Sequence, residues 1–239
     1  MLHRHLSRTL LSAALIACGA LLALRVLGAH ADAEPRVVPA PTVDLPATGE
    51  RQVVTLSGGC FWGIQGIFEH VKGVERAVSG YAGGTASTAN YETVSSGTTG
   101  HAETVEITYD PHEISFGRIL QIFFSVGLDP TEVDRQGPDR GPQYRSEIWA
   151  ADAEQARVAR AYVAQLDAAH LWPRPIATRV DALAGFYPAE AYHQDFLLLH
   201  PHQPYIAFED MPKVEALERL FPERWRADAV TVLPRKPAS

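Results

Sequence analysis

Cys60, one of two cysteines in the chain, follows two glycines and directly precedes a helical pattern of apolar residues. Backbone N–H groups at a helix N-terminus lack partners and carry partial positive charge, so a thiol placed there leans toward thiolate. Gly58 and Gly59 leave the sulfur unhindered. That is the setting of a nucleophile, although a lone cysteine also fits a small buried hydrophobe. Phe61 and Trp62 come next, and a helix starting at Cys60 points only one of them fully into a core. The other is free to line a site for a small apolar group such as a methyl.

A second candidate lies in His101-Ala102-Glu103-Thr104-Val105-Glu106-Ile107-Thr108-Tyr109, which alternates as a strand. Residues two apart share a face, which puts Glu103 with Val105, Ile107 and Tyr109, and Glu106 with Thr104 and Thr108. A carboxyl on the apolar face loses solvation of its charged form, so its pKa rises and it becomes a proton donor near pH 7. A hydrated acid at a strand end fits the same pattern, and facing alone leaves both open. Tyr91 in a polar loop, and Asp139 and Tyr144 in a Gly/Pro-rich loop, add phenols and an acid that would hydrogen-bond a polarised oxygen. Each also fits a turn or surface role.

The elements that must position these residues follow from period and punctuation. Val53 to Leu56 reads as a strand, and Cys60 to Val71 as a helix with Phe61, Ile64 and Phe68 on one face. Ser115 caps a helix carrying Phe116, Ile119, Leu120 and Phe123, while Gly127 to Pro142 is a long loop. Tyr144–Trp149 is a strand, and Asp152 opens a long helix. Ile176–Val180 is a further strand, Ala189–Leu199 a helix and Pro212–Phe221 the final helix. Strands and helices interleave in an α/β (α+β) pattern, two layers with a mixed sheet and long coil segments.

The 239 residues carry 21 Lys and Arg against 28 Asp and Glu, a net charge of −7 that argues against a binder of nucleic-acid phosphates. Residues 1–31 read as a signal peptide or membrane anchor. Arg4 and Arg8 precede an uncharged run from Leu10 to Leu24, and Ala29-His30-Ala31 suits cleavage. A lipoprotein box ending at Cys18 and an uncleaved anchor are the competing readings. Cleavage after Ala31 removes three arginines and no acid, leaving 18 bases against 28 acids, a net of −10. It also leaves Cys60 as the one thiol. The expected location is therefore exported, periplasmic or membrane-tethered on the outer face, and the acidic surface suits a monomer. Residues 32–50, with four prolines, read as a tether; residues 51–226 form the main domain and 227–239 a tail.

No CxxC, HExxH, P-loop or GxGxxG occurs, and Glu190-x-x-His193 has no second copy to complete a metal site. Two other function classes compete with a redox thiol. A thiol acyl-transfer enzyme would need His101 or His193 as base. A binding module would leave Cys60 structural.

Gly59-Cys60-Phe61-Trp62-Gly63 resembles the peptide-methionine sulfoxide reductase A family. The likeness continues in order through Gly80-Tyr81-x-Gly83-Gly84, Gly97-x-Thr99-Gly100-His101-Ala102-Glu103, Tyr109-Asp110-Pro111, Asp129-Pro130-Thr131, Arg135-Gln136-Gly137-x-Asp139-x-Gly141-x-Gln143-Tyr144-Arg145-Ser146 and Tyr192-His193-Gln194-Asp195. The resemblance implies a ferredoxin-like two-layer sandwich, and reduction of the S epimer of methionine sulfoxide, protein-bound and free. It implies Cys60 as nucleophile, Glu103 as the acid protonating the oxygen, and Tyr91 and Tyr144 as its hydrogen-bond donors. Asp139 would be an associated positioning acid, and Phe61 and Trp62 the methyl pocket. No metal or organic cofactor is implied. Many members carry resolving cysteines downstream; here none follows Cys60, and Ser95 stands where some have another. The expected enzyme is a one-cysteine type whose sulfenic acid is reduced by an external thiol or a thioredoxin-like dithiol protein.

Overall fold

The computed structural model describes residues 34–234, and from Pro35 onward they belong to one compact unit. The leader readings for residues 1–31 lie outside the described residues.

Six strands form one sheet in the order β7-β6-β1-β3-β2-β8. They are β1 (Gln52–Gly58), β2 (Val74–Ala82), β3 (Ala102–Tyr109), β6 (Ser146–Ala150), β7 (Arg179–Ala182) and β8 (Phe186–Pro188); β4 (Arg135–Gln136) and β5 (Asp139–Arg140) make a separate hairpin. All neighbours in the large sheet are antiparallel except β6 and β7, so the sheet is mixed. Helix α1 (Phe61–Glu69) joins β1 to β2, and α2 (Phe116–Ile122) with its π-helical continuation Phe123–Gly127 lies between β3 and β6. This is the β-α-β-β-α-β order of a ferredoxin-like fold, widened by an edge strand on each side. Helices α3 (Ala153–Ala168) and α4 (Met211–Leu220) complete the set of long helices.

Helix starts follow the caps read from sequence. Ser115 Oγ accepts from the Arg118 N–H at 3.2 Å, and Asp152 Oδ1 from that of Gln155 at 2.8 Å. Val54, Leu56, Val105, Ile107, Ile64, Phe68, Ile119 and Leu120 are all buried between sheet and helices.

Several expectations are corrected. The proline-rich stretch is not a free tether from Arg36 onward. The Val38 N–H donates to Ser125 Oγ and its carbonyl accepts from Gln121, while Val38 itself is buried. The Pro39 carbonyl takes the Tyr162 hydroxyl, and Asp44 accepts from Ser115 and the Gly117 N–H. Prolines cannot donate to a ladder, but their carbonyls still bind side chains from the helices beneath. The tail is also anchored, since Asp195 accepts the backbone N–H groups of Val232 and Leu233.

That demand on Asp195 helps break the helix expected over Ala189–Leu199. Asp195 sits at φ 55°, and only the turns Ala191–His193 and Phe196–Leu199 form around it. The strand expected at Ile176–Val180 runs instead over Arg179–Ala182. The one expected at Tyr144–Trp149 runs over Ser146–Ala150, because Pro142–Tyr144 forms a 3₁₀ turn.

Candidate active site

Strand β1 ends at Gly58, and the chain turns through Gly59 at φ +89° to place Cys60 as the N-cap of α1. A side chain at Gly59 would meet the Gln136 side chain at 2.6 Å, so only glycine allows both this backbone and this contact. Strand β3 runs beside β1, with Leu56 opposite Val105, and brings Glu103 next to the start of the helix. The two meet directly: the Phe61 N–H donates to Glu103 Oε2 at 3.0 Å. Glu103 is 4% exposed and Cys60 8%, so the hydrated-acid alternative is gone.

A pocket of about 210 Å³ opens over this pair, lined by Cys60, Phe61, Trp62, Tyr91, Glu103, Asp139, Tyr144, Gln203 and Tyr205. All seven residues singled out from sequence therefore converge. They come from β1–α1, β3, the turn beginning at Tyr91, the β4–β5 hairpin and the turn before β6. Phe61 is buried against Tyr81 and His193, with ring centroids 5.9 and 5.1 Å away. Trp62 is less buried, stacks on Phe196 at 3.9 Å and donates its indole N–H to His193 Nδ1 at 3.2 Å.

Burial governs the electrostatics. It pushes the Glu103 carboxyl up to about 8 despite the Phe61 N–H, which favours the charged form, and Asp139 and Asp210 add to the rise. The same burial raises the Cys60 thiol well above its ordinary value, and the charges of Glu103, Asp210 and Asp139 raise it further. The helix N-terminus does contribute a lowering hydrogen bond from Trp62, but it is outweighed. The leaning toward thiolate expected from the helix start is thus corrected: burial favours the neutral thiol beside a neutral acid. Tyr91 and Tyr144 are raised by desolvation and by Glu103, and stay hydroxyl donors. Asp139 is raised by burial, while the hydroxyl of Tyr205 donating to its Oδ2 pulls the other way.

Sequence reasoning missed Gln203 and Tyr205, which lie in a stretch without apolar period. It also missed the buried Asp210, whose acidic type at a helix start reads as a cap. Neither histidine can serve as a base for acyl transfer here. His101 is engaged with Gly84 N–H and the Thr85 carbonyl, His193 is tied to Trp62, and neither lines the pocket. Glu190, the acid of the Glu190-x-x-His193 pattern, accepts the Tyr81 hydroxyl and the Tyr91 N–H, a structural use. Among the described residues no three acids, histidines or cysteines gather as a metal site.

The family model for peptide methionine sulfoxide reductase matches residues 52–225. Peptide methionine sulfoxide reductase MsrA 2 of Mesorhizobium japonicum is 52% identical over 191 residues, covering 80% of this chain and 98% of that protein. Among solved structures, methionine sulfoxide reductase A of Corynebacterium diphtheriae is 32% identical with a TM-score of 0.56, covering 70% of this chain and 86% of that one. Reduced Mxr1 from Saccharomyces cerevisiae is 29% identical with a TM-score of 0.59, covering 68% and 92%. Sequence, fold and the company kept by Cys60 agree: the chain belongs to the peptide methionine sulfoxide reductase family, as an oxidoreductase acting on methionine sulfoxide.

Proposed function

We propose that Cys60 reduces the S epimer of methionine sulfoxide, in proteins and free, with Glu103 as general acid. The observation that carries this reading is the buried Glu103 carboxyl, held beside Cys60 by the Phe61 N–H and lining the same small cavity, where burial favours its protonated form.

A sulfoxide oxygen leaves poorly until it is protonated. Of the residues lining the cavity, Tyr91, Tyr144 and Glu103 supply hydrogen-bond donors for the oxygen, and Phe61 and Trp62 an apolar wall for the methyl. With methyl and oxygen fixed, only one configuration at sulfur presents itself to Cys60. The other epimer would turn its oxygen onto the apolar wall and lose those hydrogen bonds.

In the first step Sγ bonds to the sulfoxide sulfur as the Glu103 proton moves to oxygen. The thiol's own proton replaces the one Glu103 gave. The S–O bond then breaks as a second proton from Glu103 releases water. Water adds to Sγ as the bond between Sγ and the methionine sulfur breaks, so the oxygen ends as a hydroxyl on Sγ and a proton returns to Glu103. Methionine gains two electrons and Cys60 loses two, becoming a sulfenic acid. No metal or organic cofactor enters this sequence. An external thiol then attacks Sγ, water leaves, and a second thiol releases Cys60 from the mixed disulfide. The sequence's one other cysteine, Cys18, lies in the leader-like segment 1–31, which supports a reductant from outside: a small thiol or a thioredoxin-like dithiol protein. The leader-like residues 1–31 support a place outside the cytoplasm, where exported oxidised proteins are the substrates.

The test is incubation with each sulfoxide epimer, with and without dithiol, followed by mass spectrometry of the Cys60 peptide. The expected result is consumption of the S epimer alone, and one added oxygen on Cys60 when dithiol is withheld. Equal reduction of both epimers, or an intramolecular disulfide during turnover, would overturn the reading.

A further inference from the structure

One ionic pair, a buried carboxylate with a partly exposed lysine, borders the site without lining its cavity. Asp210 is fully buried, and its Oδ1 accepts from Lys213 Nζ at 3.0 Å. Its Oδ2 is equally buried and has no hydrogen-bond partner. A carboxylate satisfied on one side only is a poor source of stability, because desolvating two charges costs what their attraction returns. The local backbone is unusual as well. Ile206–Asp210 forms a π-helical turn before α4, a feature that often sits at functional sites.

The pair packs on the first turn of α1, the turn that starts at Cys60. Gly63 follows Cys60 by three residues, so both lie on one face of that turn. A Cβ on Gly63 would stand 2.2 Å from Asp210 Oδ1 and 3.2 Å from Lys213 Nζ, so the pair fills the space a side chain there would take. The charges register on the site. Asp210 raises Cys60, Glu103 and Tyr205, and the Lys213 ammonium is itself strengthened by Cys60 and Asp139. The other titratable groups facing the thiol are Glu103, Asp139 and the phenols of Tyr91, Tyr144 and Tyr205, none of which brings positive charge.

We propose that Asp210 and Lys213 are a charge-setting pair for Cys60, in which the ammonium held by Asp210 offsets the negative sulfur formed when the thiol gives up its proton. Lys213 keeps its own proton throughout, and neither residue touches substrate, so both are positioning residues. The inference rests on Cys60 being the nucleophile, but it can be tested at the sulfur alone.

The experiment is the pH dependence of Cys60 alkylation by iodoacetamide in the full chain without sulfoxide, followed on the Cys60 peptide by mass spectrometry so that Cys18 does not interfere. Asp210→Asn is nearly isosteric and leaves the ammonium uncompensated. Its alkylation midpoint should fall by about one pH unit, roughly a tenfold faster reaction below the midpoint. Adding Lys213→Met should cancel that fall. An Asp210→Asn midpoint unchanged from wild type, or a fall that persists in the double variant, would overturn the pair's role. If Asp210→Asn does not fold, Lys213→Met alone decides, since its site is partly exposed. Slower alkylation at fixed pH supports the proposal, and an unchanged rate overturns it. Failure of the wild-type chain to reduce methionine sulfoxide would count against the function proposed above and leave the alkylation result standing.

Discussion

Strand β1 is flanked by two buried glutamates with different fates. Glu103 lies on β3 and Glu147 on β6, and both strands pair with β1. Desolvation lifts both carboxyls, Glu103 to about 8 and Glu147 to about 7, so a raised carboxyl is not by itself a mark of chemistry. What separates them is company and outlook. Glu147 accepts from Arg145 Nε at 2.6 Å, and that guanidinium also donates to the carbonyls of Pro142 and Gly100 at 2.9 and 3.0 Å and lies over the Trp149 ring. Glu103 has no cation against it, only the Phe61 N–H, and it faces a cavity. The first acid is spent on holding loops together; the second is left free to give a proton away.

Replacement of each acid by its amide gives the sharpest way to break that comparison. Glu103→Gln should lower kcat for methionine sulfoxide by ~10²–10⁴-fold while leaving the fold intact, the usual cost of losing a general acid. Glu147→Gln should do the reverse. It strands the buried Arg145 charge and should cost about 3 kcal/mol in a urea melt. The folded enzyme should retain kcat within about tenfold, well short of the loss from removing a general acid. If Glu147→Gln removed activity as thoroughly without loss of stability, the division of labour would be wrong.

A pH series sharpens it further. A general acid works only while protonated, so kcat should fall tenfold per unit above about pH 8 and the Glu103→Gln residual rate should show no such limb. Stability carries the same signature. Glu103 binds its proton more tightly folded than unfolded, so its contribution is fully present below about 4.5 and is lost as pH rises toward 8. Across that window wild type should lose stability relative to Glu103→Gln by up to about 1.4 kcal/mol per pH unit. A difference between the two proteins that stayed flat with pH would mean the acid is hydrated.

The line between the two glutamates shows how far sequence alone reaches. Alternation along Ala102–Tyr109 put Glu103 on the apolar face, and the structure buries it there, while Glu106 and Thr108 on the other face are less buried. Period and caps also placed α1, α2 and α3, because those signals are local. Glu147 and Arg145 carry no such signal: a charged pair two apart on a strand reads as solvated until the third partners, Pro142 and Gly100, arrive from elsewhere in the chain. Tyr205 and Asp210 were hidden for the same reason, since each is defined by a contact more than 60 residues away or across a helix face. The thiol's protonation departs from the expectation because a helix start is visible in sequence, whereas the burial of the sulfur and the three acids gathered around it are not.

The smallest effect concerns the clamp itself. Arg145→Lys keeps the charge opposite Glu147 but replaces a planar fork with a point donor that cannot span Glu147, Pro142 and Gly100 at once. Loss of two neutral-acceptor hydrogen bonds should lower stability by about 1–2 kcal/mol in a thermal or urea melt. The catalytic consequence should be indirect. Pro142 opens the turn that carries Tyr144, and Gly100 lies three residues before Glu103, so kcat should fall by less than about tenfold through looser placement of those donors. The alkaline limb of kcat should stay near pH 8, because the groups touching Glu103 are unchanged. A limb that moved with Arg145→Lys would show that the guanidinium acts on the Glu103 proton itself, and the two acids would then be one coupled system.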